Sequence, residues 1–368
     1  MFRIPRFLLL FVALATFAAA CGDDDDTSAG QGGDLPTVVV TTNILGDVVT
    51  ELTGGAVNVV TIMPVGADPH DFQASAQQVA EMQSAAVLIV NGGSFEEGLL
   101  DVIEGAEADG VAVYEAISAV STIEFGEGGH DDHGHDDHGD EEGHEGEEDH
   151  DHEGEEGHED EEDHDHEREE SKDEDHDDHD HEGEEGHDHS GDDPHFFTDP
   201  ARMALAVDGI AAFLIANVDG IDADAVSAAA EAYHDELEAL DAEVAALVES
   251  IPAESRVLIT NHEVFGYFAD RYGFEVAGAV IPSGSTVDSS SAGELAEFAE
   301  LIQAEGVAAI FSDESASDQL AQTLADEVGD IAVVALFTES LGESGSGGAT
   351  YVEMVRTNAE RIAGALAS

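Results

Sequence analysis

The sequence predicts an α/β protein of two lobes, each with a mostly parallel sheet flanked by helices, joined by one long linking helix. Three observations carry the prediction. Short apolar runs alternate with helical stretches from residue 37 to about 116, and the same alternation begins again at 256. Between the two series lies a helical pattern from about Ala223 to Ser250. Strands separated by helices pair in parallel, and a parallel sheet is covered on both faces.

In the first series VVVTTN (38–43) reads as a buried strand and ILGDVVTELTGG as a helix ended by glycine. VNVVTIMP (57–64) is a second strand, SAQQVAEMQSA a helix, AVLIVNGG (86–93) a third strand closing on glycines, and VAVYEA (111–116) a fourth. Order resumes at DPHFFTDPARM, where Asp199 and Pro200 open a helix through about Val218 with proline in its first turn. AVSAAAEAYHDELEALDAEVAALVES supplies the linking helix, closed by Ile251 and Pro252. The second series runs RVLIT (256–260), FEVAGAV (274–280), VAAIFSD (307–313) and IAVVALF (331–337), with helices near VFGYFADRYG, SAGELAEFAELIQAEG and QLAQTLADEVG. ATYVEMVRTNAERIAGALA is a final helix.

Two segments lie outside this scheme. Residues 1–20 carry Arg3 and Arg6, then LLLFVALATFAAA, then small residues before Cys21, which reads as a secretory signal. The run is too short to span a membrane comfortably. Cys21, the only cysteine, stands where a bacterial lipoprotein carries its lipid, and 21–36 reads as a lipidated N-terminus with a flexible tether. The second segment, 126–193, contains fifteen of the nineteen histidines, dozens of carboxylates and almost nothing apolar. It cannot bury enough surface to offset chain entropy, so metal-free it should be disordered. The first lobe is thus assigned 37–222 with this insertion inside it, the linking helix 223–250, and the second lobe 251–368.

The formal charge of −77, from 9 Lys+Arg against 86 Asp+Glu, excludes nucleic acid as a partner. With one cysteine there is no disulfide within the chain, so a metal site must draw on His, Asp and Glu. No HExxH, Ser-His-Asp order or phosphate-cradling glycine motif appears, and an enzyme is not expected.

Four histidines lie outside the insertion. His70 stands in VGADPHDFQAS after the second strand, His195 in DPHFFTDP where the insertion rejoins the lobe, and His262 in ITNHEVFGYF after RVLIT. Open α/β sheets bind ligands beyond the carboxyl ends of their strands, which makes these three the candidate ligands. His234, mid-helix in AYHDELEAL, reads as part of a solvated face. Zinc in a closed site is tetrahedral, and Glu339 in ALFTESLGESG is placed to complete the shell.

VGADPHDFQAS, DPHFFTDP, IPAESRVLITNHEVFGYFA and LFTESLGESGSGGATYVEMVRTN resemble, in order and context, the signature segments of the zinc and manganese substrate-binding proteins of metal ABC transporters (cluster A-I). The resemblance covers about Thr37 to Leu366. It implies that His70 and His195 are the first two ligands, His262 the third, and Glu339 the fourth, where an aspartate is commoner. At the third position manganese-binding members carry a carboxylate and zinc-binding members a histidine. The expected partners are a membrane permease with its cytoplasmic ATPase, with the protein monomeric, extracytoplasmic and anchored to the cell membrane through its N-terminal lipid.

Three imidazoles with one carboxylate favour Zn²⁺ as cargo, since Mn²⁺ prefers oxygen donors and stands low in the affinity order. Copper binds such a set at least as tightly, so selectivity falls to geometry and supply. Binding needs neutral imidazoles, so affinity is expected to fall as pH drops through about 6 to 7.

The insertion places His130, His133, His135, His138, His144, His150, His152, His158, His164, His166, His176, His179, His181, His187 and His189 among acids without an element to fix them. Its donors are interchangeable, so it reads as an accessory collector that raises local Zn²⁺ concentration beside the cleft. Histidine-rich insertions at this place also belong to the zinc-type members that the chain resembles. Two alternatives remain. One is a surface zinc-buffering or adhesin lipoprotein, or a manganese-binding relative. The other is a secreted zinc hydrolase, whose turnover would depend on Glu263 or Glu339.

Overall fold

The structure, a computed structural model, describes residues 35–125, 191–281, 283–286, 290–315, 319–329 and 331–367. The expected signal, residues 21–34 of the expected tether with Cys21, and the fifteen histidines of the insertion lie outside these residues.

Among the described residues, eight strands form two sheets of four, all parallel. In the first lobe these are β1 (Thr37–Val40), β2 (Asn58–Thr61), β3 (Val87–Val90) and β4 (Ala112–Glu115), in the order β2-β1-β3-β4. In the second, β5 (Val257–Thr260), β6 (Glu275–Ala279), β7 (Ala309–Asp313) and β8 (Ala332–Leu336) take the order β6-β5-β7-β8. Offset by four, the two orders are the same, so each lobe repeats one topology with its switch beside its first strand.

The first lobe's connections are α1 (Asn43–Thr53), α2 (Ala76–Gln83) and α3 (Leu100–Ala108). Thr42 caps α1 by accepting the Leu45 N–H, and Gly54 ends it with a left-handed backbone at φ 52°. Ser75 and Gln78 cap α2 reciprocally. The periodicity reading misses α3 because Gly105 and the acids around it break its apolar pattern, although a parallel β3–β4 pair requires a crossover there. α4 (Pro200–Asn217) leads into α5 (Ala223–Val248), and the second lobe adds α6 (Gly266–Tyr272), α7 (Ala292–Glu305), α8 (Gln319–Val328) and α9 (Tyr351–Leu366).

The alternation of side chains along each strand divides the apolar core. Val38 and Val40 of β1, with Val87 and Ile89 of β3, face a central cluster. Val39, Leu88 and Val90 face an outer one closed by α2 and α3 through Met82 and Ala106. The second lobe repeats the division: Ala309 and Phe311 point to the central cluster, Ile310 to an outer cluster under α7 and α8. α5 runs through the centre. Its buried residues Val226, Ala230, Tyr233, Leu237, Leu240, Val244 and Val248 recur every three or four positions, and it packs on α1 and α4 of the first lobe and α9 of the second. One continuous core therefore joins the lobes through the linking helix.

Candidate metal centre

His70 lies in the loop after β2, His195 at the start of a short 3-10 turn (Phe196–Thr198), His262 two residues beyond β5, and Glu339 three beyond β8. The chain brings all four together. His195 and His262 are 0% exposed, Glu339 3% and His70 5%. Their donor atoms all lie within 4.8 Å of one another, and no other such group occurs among the described residues. Glu339 Oε1 is 2.8 Å from His70 Nε2, 3.1 Å from His195 Nε2 and 3.2 Å from His262 Nε2. Tetrahedral zinc with bonds near 2.0 Å places its ligand atoms about 3.3 Å apart. The four groups therefore stand close to the spacing that one ion imposes.

The backbone turns that present the two first-lobe histidines are alike. Asp68-Pro69-His70 and Asp193-Pro194-His195 repeat one tripeptide, and in each the aspartate Oδ1 accepts the histidine backbone N–H at 2.9 Å. The ring nitrogens away from the centre differ. His70 Nδ1 donates to Glu97 Oε1 at 2.9 Å, and His195 Nδ1 to Asp193 Oδ1 at 2.7 Å. An ionised carboxylate can only accept, so each fixes the tautomer that leaves Nε2 for a metal. His262 Nδ1 has no hydrogen-bond partner. Its loop is held instead by its backbone, with His262 O accepting from Thr260 Oγ1 and Val264 N, and Glu263 N donating to Ser283 O.

Two asparagines hold Glu339 from either side. Asn358 of α9 bonds both N–H and C=O of Phe337. Asn43, at the start of α1, accepts the Leu341 N–H at 2.7 Å and donates to Ser340 Oγ at 3.0 Å and Pro64 O at 3.2 Å. Ser340 Oγ also accepts the Gly66 N–H. The Glu339 loop of the second lobe is thereby bonded to the loop of the first that carries His70. Thr286 Oγ1 donates to Asp68 Oδ2 across the same gap.

Electrostatics follow from packing three imidazoles around one carboxylate. Burial pushes His70 down, but Glu339 and Glu97 outweigh it and raise the ring to about 10. Burial likewise opposes protonation of His195, and Asp193 and Glu339 overcome it. Burial pushes Glu339 up, yet His262 and His70 hold it well below the usual carboxylate range. Metal-free, His70 thus holds its proton well above the usual histidine range.

Asp193 was legible only as the last residue of the acidic insertion. That boundary is corrected: Gly191, Asp192 and Asp193 belong to the folded lobe. Glu124 and Asp192 form an antiparallel bridge, Asp193 is buried, and its carbonyl accepts the Tyr267 hydroxyl. Gly266 opens α6 against the Asp193 carboxylate, where a Cβ would clash. The repeated Asp-Pro-His is the sequence signal that marks it. Glu97 had no signal, being one acid of FEEG. His234 behaves as expected, half-buried beside Asp208 on the surface of α5 and α4.

A family profile described as zinc-uptake complex component A, periplasmic (ZnuA) matches residues 38–365. The zinc-binding protein TroA of Treponema pallidum is 26% identical over 372 residues, 99% of this chain and 98% of that protein. The manganese-binding lipoprotein MntA of Bacillus subtilis is 27% identical over 369 residues, 98% of each. The solved structure of the periplasmic zinc-binding protein TroA from T. pallidum matches with a TM-score of 0.69 at 25% identity, covering 91% of this chain and all of that one. A Cd-bound periplasmic metal-binding protein from Candidatus Liberibacter asiaticus shares the fold, with a TM-score of 0.65 at 16% identity over 90% of this chain and 99% of that one.

Proposed function

Because the chain belongs to the ZnuA family, whose members are substrate-binding components of metal ABC transporters and not enzymes, we propose that it captures Zn²⁺ between its lobes and delivers it to a membrane permease driven by an ATPase. His70, His195, His262 and Glu339 are the proposed ligands. The carrying observation is their convergence, buried, with donor atoms within 4.8 Å. The relatives bind zinc or manganese by name. Three nitrogen donors against one carboxylate favour zinc over manganese, which takes oxygen-rich shells. Such a buried shell leaves little room for the open coordination position a catalytic metal needs.

The acidic insertion is the proposed accessory collector. Its two ends meet at the Glu124–Asp192 bridge, and between them Phe125 packs against the His195 ring at 6.2 Å. The described residues on either side of the insertion, which carries 15 histidines, thus lie beside the centre. Cys21 is the proposed lipid site and the extracytoplasmic face of the membrane the proposed location, in keeping with relatives named as lipoproteins.

Metal titration of three forms tests the reading: the chain from Cys21, the same chain with 126–190 replaced by a short turn between Phe125 and Gly191, and the His70→Ala/His195→Ala/His262→Ala variant. One tight zinc equivalent is expected in the first two and none in the third, with many weak equivalents lost on deleting the insertion. Manganese should fail to displace zinc at equal concentration. A tight equivalent that disappears with the insertion, or a preference for manganese, would overturn the reading.

A further inference from the structure

Glu96 is 1% exposed, and it is not one of the four groups that converge on the centre. Its Oε1 accepts from Thr41 Oγ1 at 2.6 Å and from the Asn91 N–H at 2.6 Å, and its Oε2 accepts the Gly92 N–H at 3.3 Å. Thr41 follows β1 and Asn91 follows β3. In the order β2-β1-β3-β4 the chain leaves β1 to one side and returns to the other, so Glu96 fills the crevice where an open sheet reverses direction. Burying a carboxylate is unfavourable without donors, and here three are aimed at it.

What this carboxylate ties down is the histidine pair of the first lobe. Its neighbour Glu97 holds His70 Nδ1. Its other neighbour Phe95 sets its ring edge-on to both imidazoles, 5.4 Å from His70 and 5.5 Å from His195. Asn91, whose N–H it binds, donates from Nδ2 to Pro194 O at 3.0 Å, one residue before His195. Gly98 lies so close to the Phe72 carbonyl that a Cβ would clash, which seats the segment on the His70 loop.

We infer that Glu96 is a positioning residue for metal capture, a buried hydrogen-bonded knot that sets His70 and His195 relative to each other, through Glu97 and Phe95 toward one and through Asn91 toward the other. The inference rests on reading those histidines as ligands. Glu96 itself does not touch the ion.

The test uses the chain from Cys21 with its insertion intact in every variant. Glu96→Gln keeps the acceptor for Thr41 and Asn91 but turns an amide N–H₂ toward the Gly92 N–H. Zinc affinity of the tight equivalent is read by chelator competition, ligand geometry by the d–d absorption of the first equivalent of Co²⁺, and folding by metal-free Tm. Glu96→Gln should weaken zinc on the order of tenfold and shift the cobalt band. Because the two acids act along one path, its effect should not add fully to that of Glu97→Gln. Val49→Ala, which opens the α1 core away from this network, should lower Tm while leaving affinity and band unchanged. If Glu96→Gln fails to fold, Thr41→Val removes one donor at constant volume and should shift the band the same way by less.

Affinity within twofold of wild type with an unshifted band, in Glu96→Gln or in its substitute Thr41→Val, overturns the inference. Equal losses in Val49→Ala at equal Tm do so too. A wild type without a tight equivalent, or one that survives His195→Ala, points instead to failure of the ligand assignment.

Discussion

Two carboxylates orient two imidazoles at this centre, and they differ in solvent exposure. The Asp193 side chain is 3% exposed, that of Glu97 34%. The same perturbation, acid to amide, should therefore have unequal effects. In Asp193→Asn the amide oxygen can still accept the His195 N–H, but the buried Nδ1–H loses its charged acceptor. A charge-assisted hydrogen bond in such a place contributes about 1.5–3 kcal/mol. At about 1.4 kcal/mol per decade, that corresponds to roughly tenfold to hundredfold weaker metal binding. For Glu97→Gln water already screens the pair, and about 0–1 kcal/mol is lost, at most roughly fivefold. Chelator competition on the tightest equivalent measures both, with metal-free Tm as a check that each variant folds. Equal losses, or a greater loss at Glu97, would refute the argument that burial sets the strength of these contacts.

Two further outcomes follow from the geometry. His70 has a folded, metal-free pKa raised from 6.5 to about 10, so its proton stabilises the metal-free fold fully below 6.5 and that contribution is lost as pH rises toward about 10. In urea unfolding of the metal-free chain, the stability difference between wild type and His70→Ala should shrink between pH 6.5 and 10, and zinc binding in that window should release protons measurable by buffer-dependent calorimetry. Glu339 runs the other way, its contribution present above 4.5 and lost as pH falls through its lowered value. Asn43→Ala removes the amide that joins the Glu339 and His70 loops and leaves the buried Leu341 N–H without its acceptor. It should lower stability by about 1–3 kcal/mol and weaken zinc, read by denaturant unfolding and chelator competition; unchanged binding would mean the loops hold their places without it.

The strands were legible because their apolar runs are short and nearly continuous, the mark of strands buried on both faces. The three histidines were legible because each stands in a loop following a strand or leading into a helix. α3 was not, because Gly105 and its acids dilute its pattern and only the topology of the sheet demands it. The partners of the proposed ligands were hidden for a different reason. Asp193 was masked by the acidic tract that precedes it, and its role depends on the turn that returns its side chain to His195. Glu96 and Glu97 are adjacent identical letters, yet one points into the sheet crevice and the other to His70, a distinction that exists only once β1 and β3 are paired. Asn43 finds Ser340 across 297 positions, beyond any local pattern.

The central claim is that distant side chains grip one ion where the lobes meet. An anomalous difference map at the zinc edge, from crystals of the zinc-loaded chain, tests it most directly. A single strong peak about 2.0–2.2 Å from Nε2 of His70, His195 and His262 and from a Glu339 oxygen is the expected result. A peak bound by other residues, with these four side chains away from it, would contradict the account.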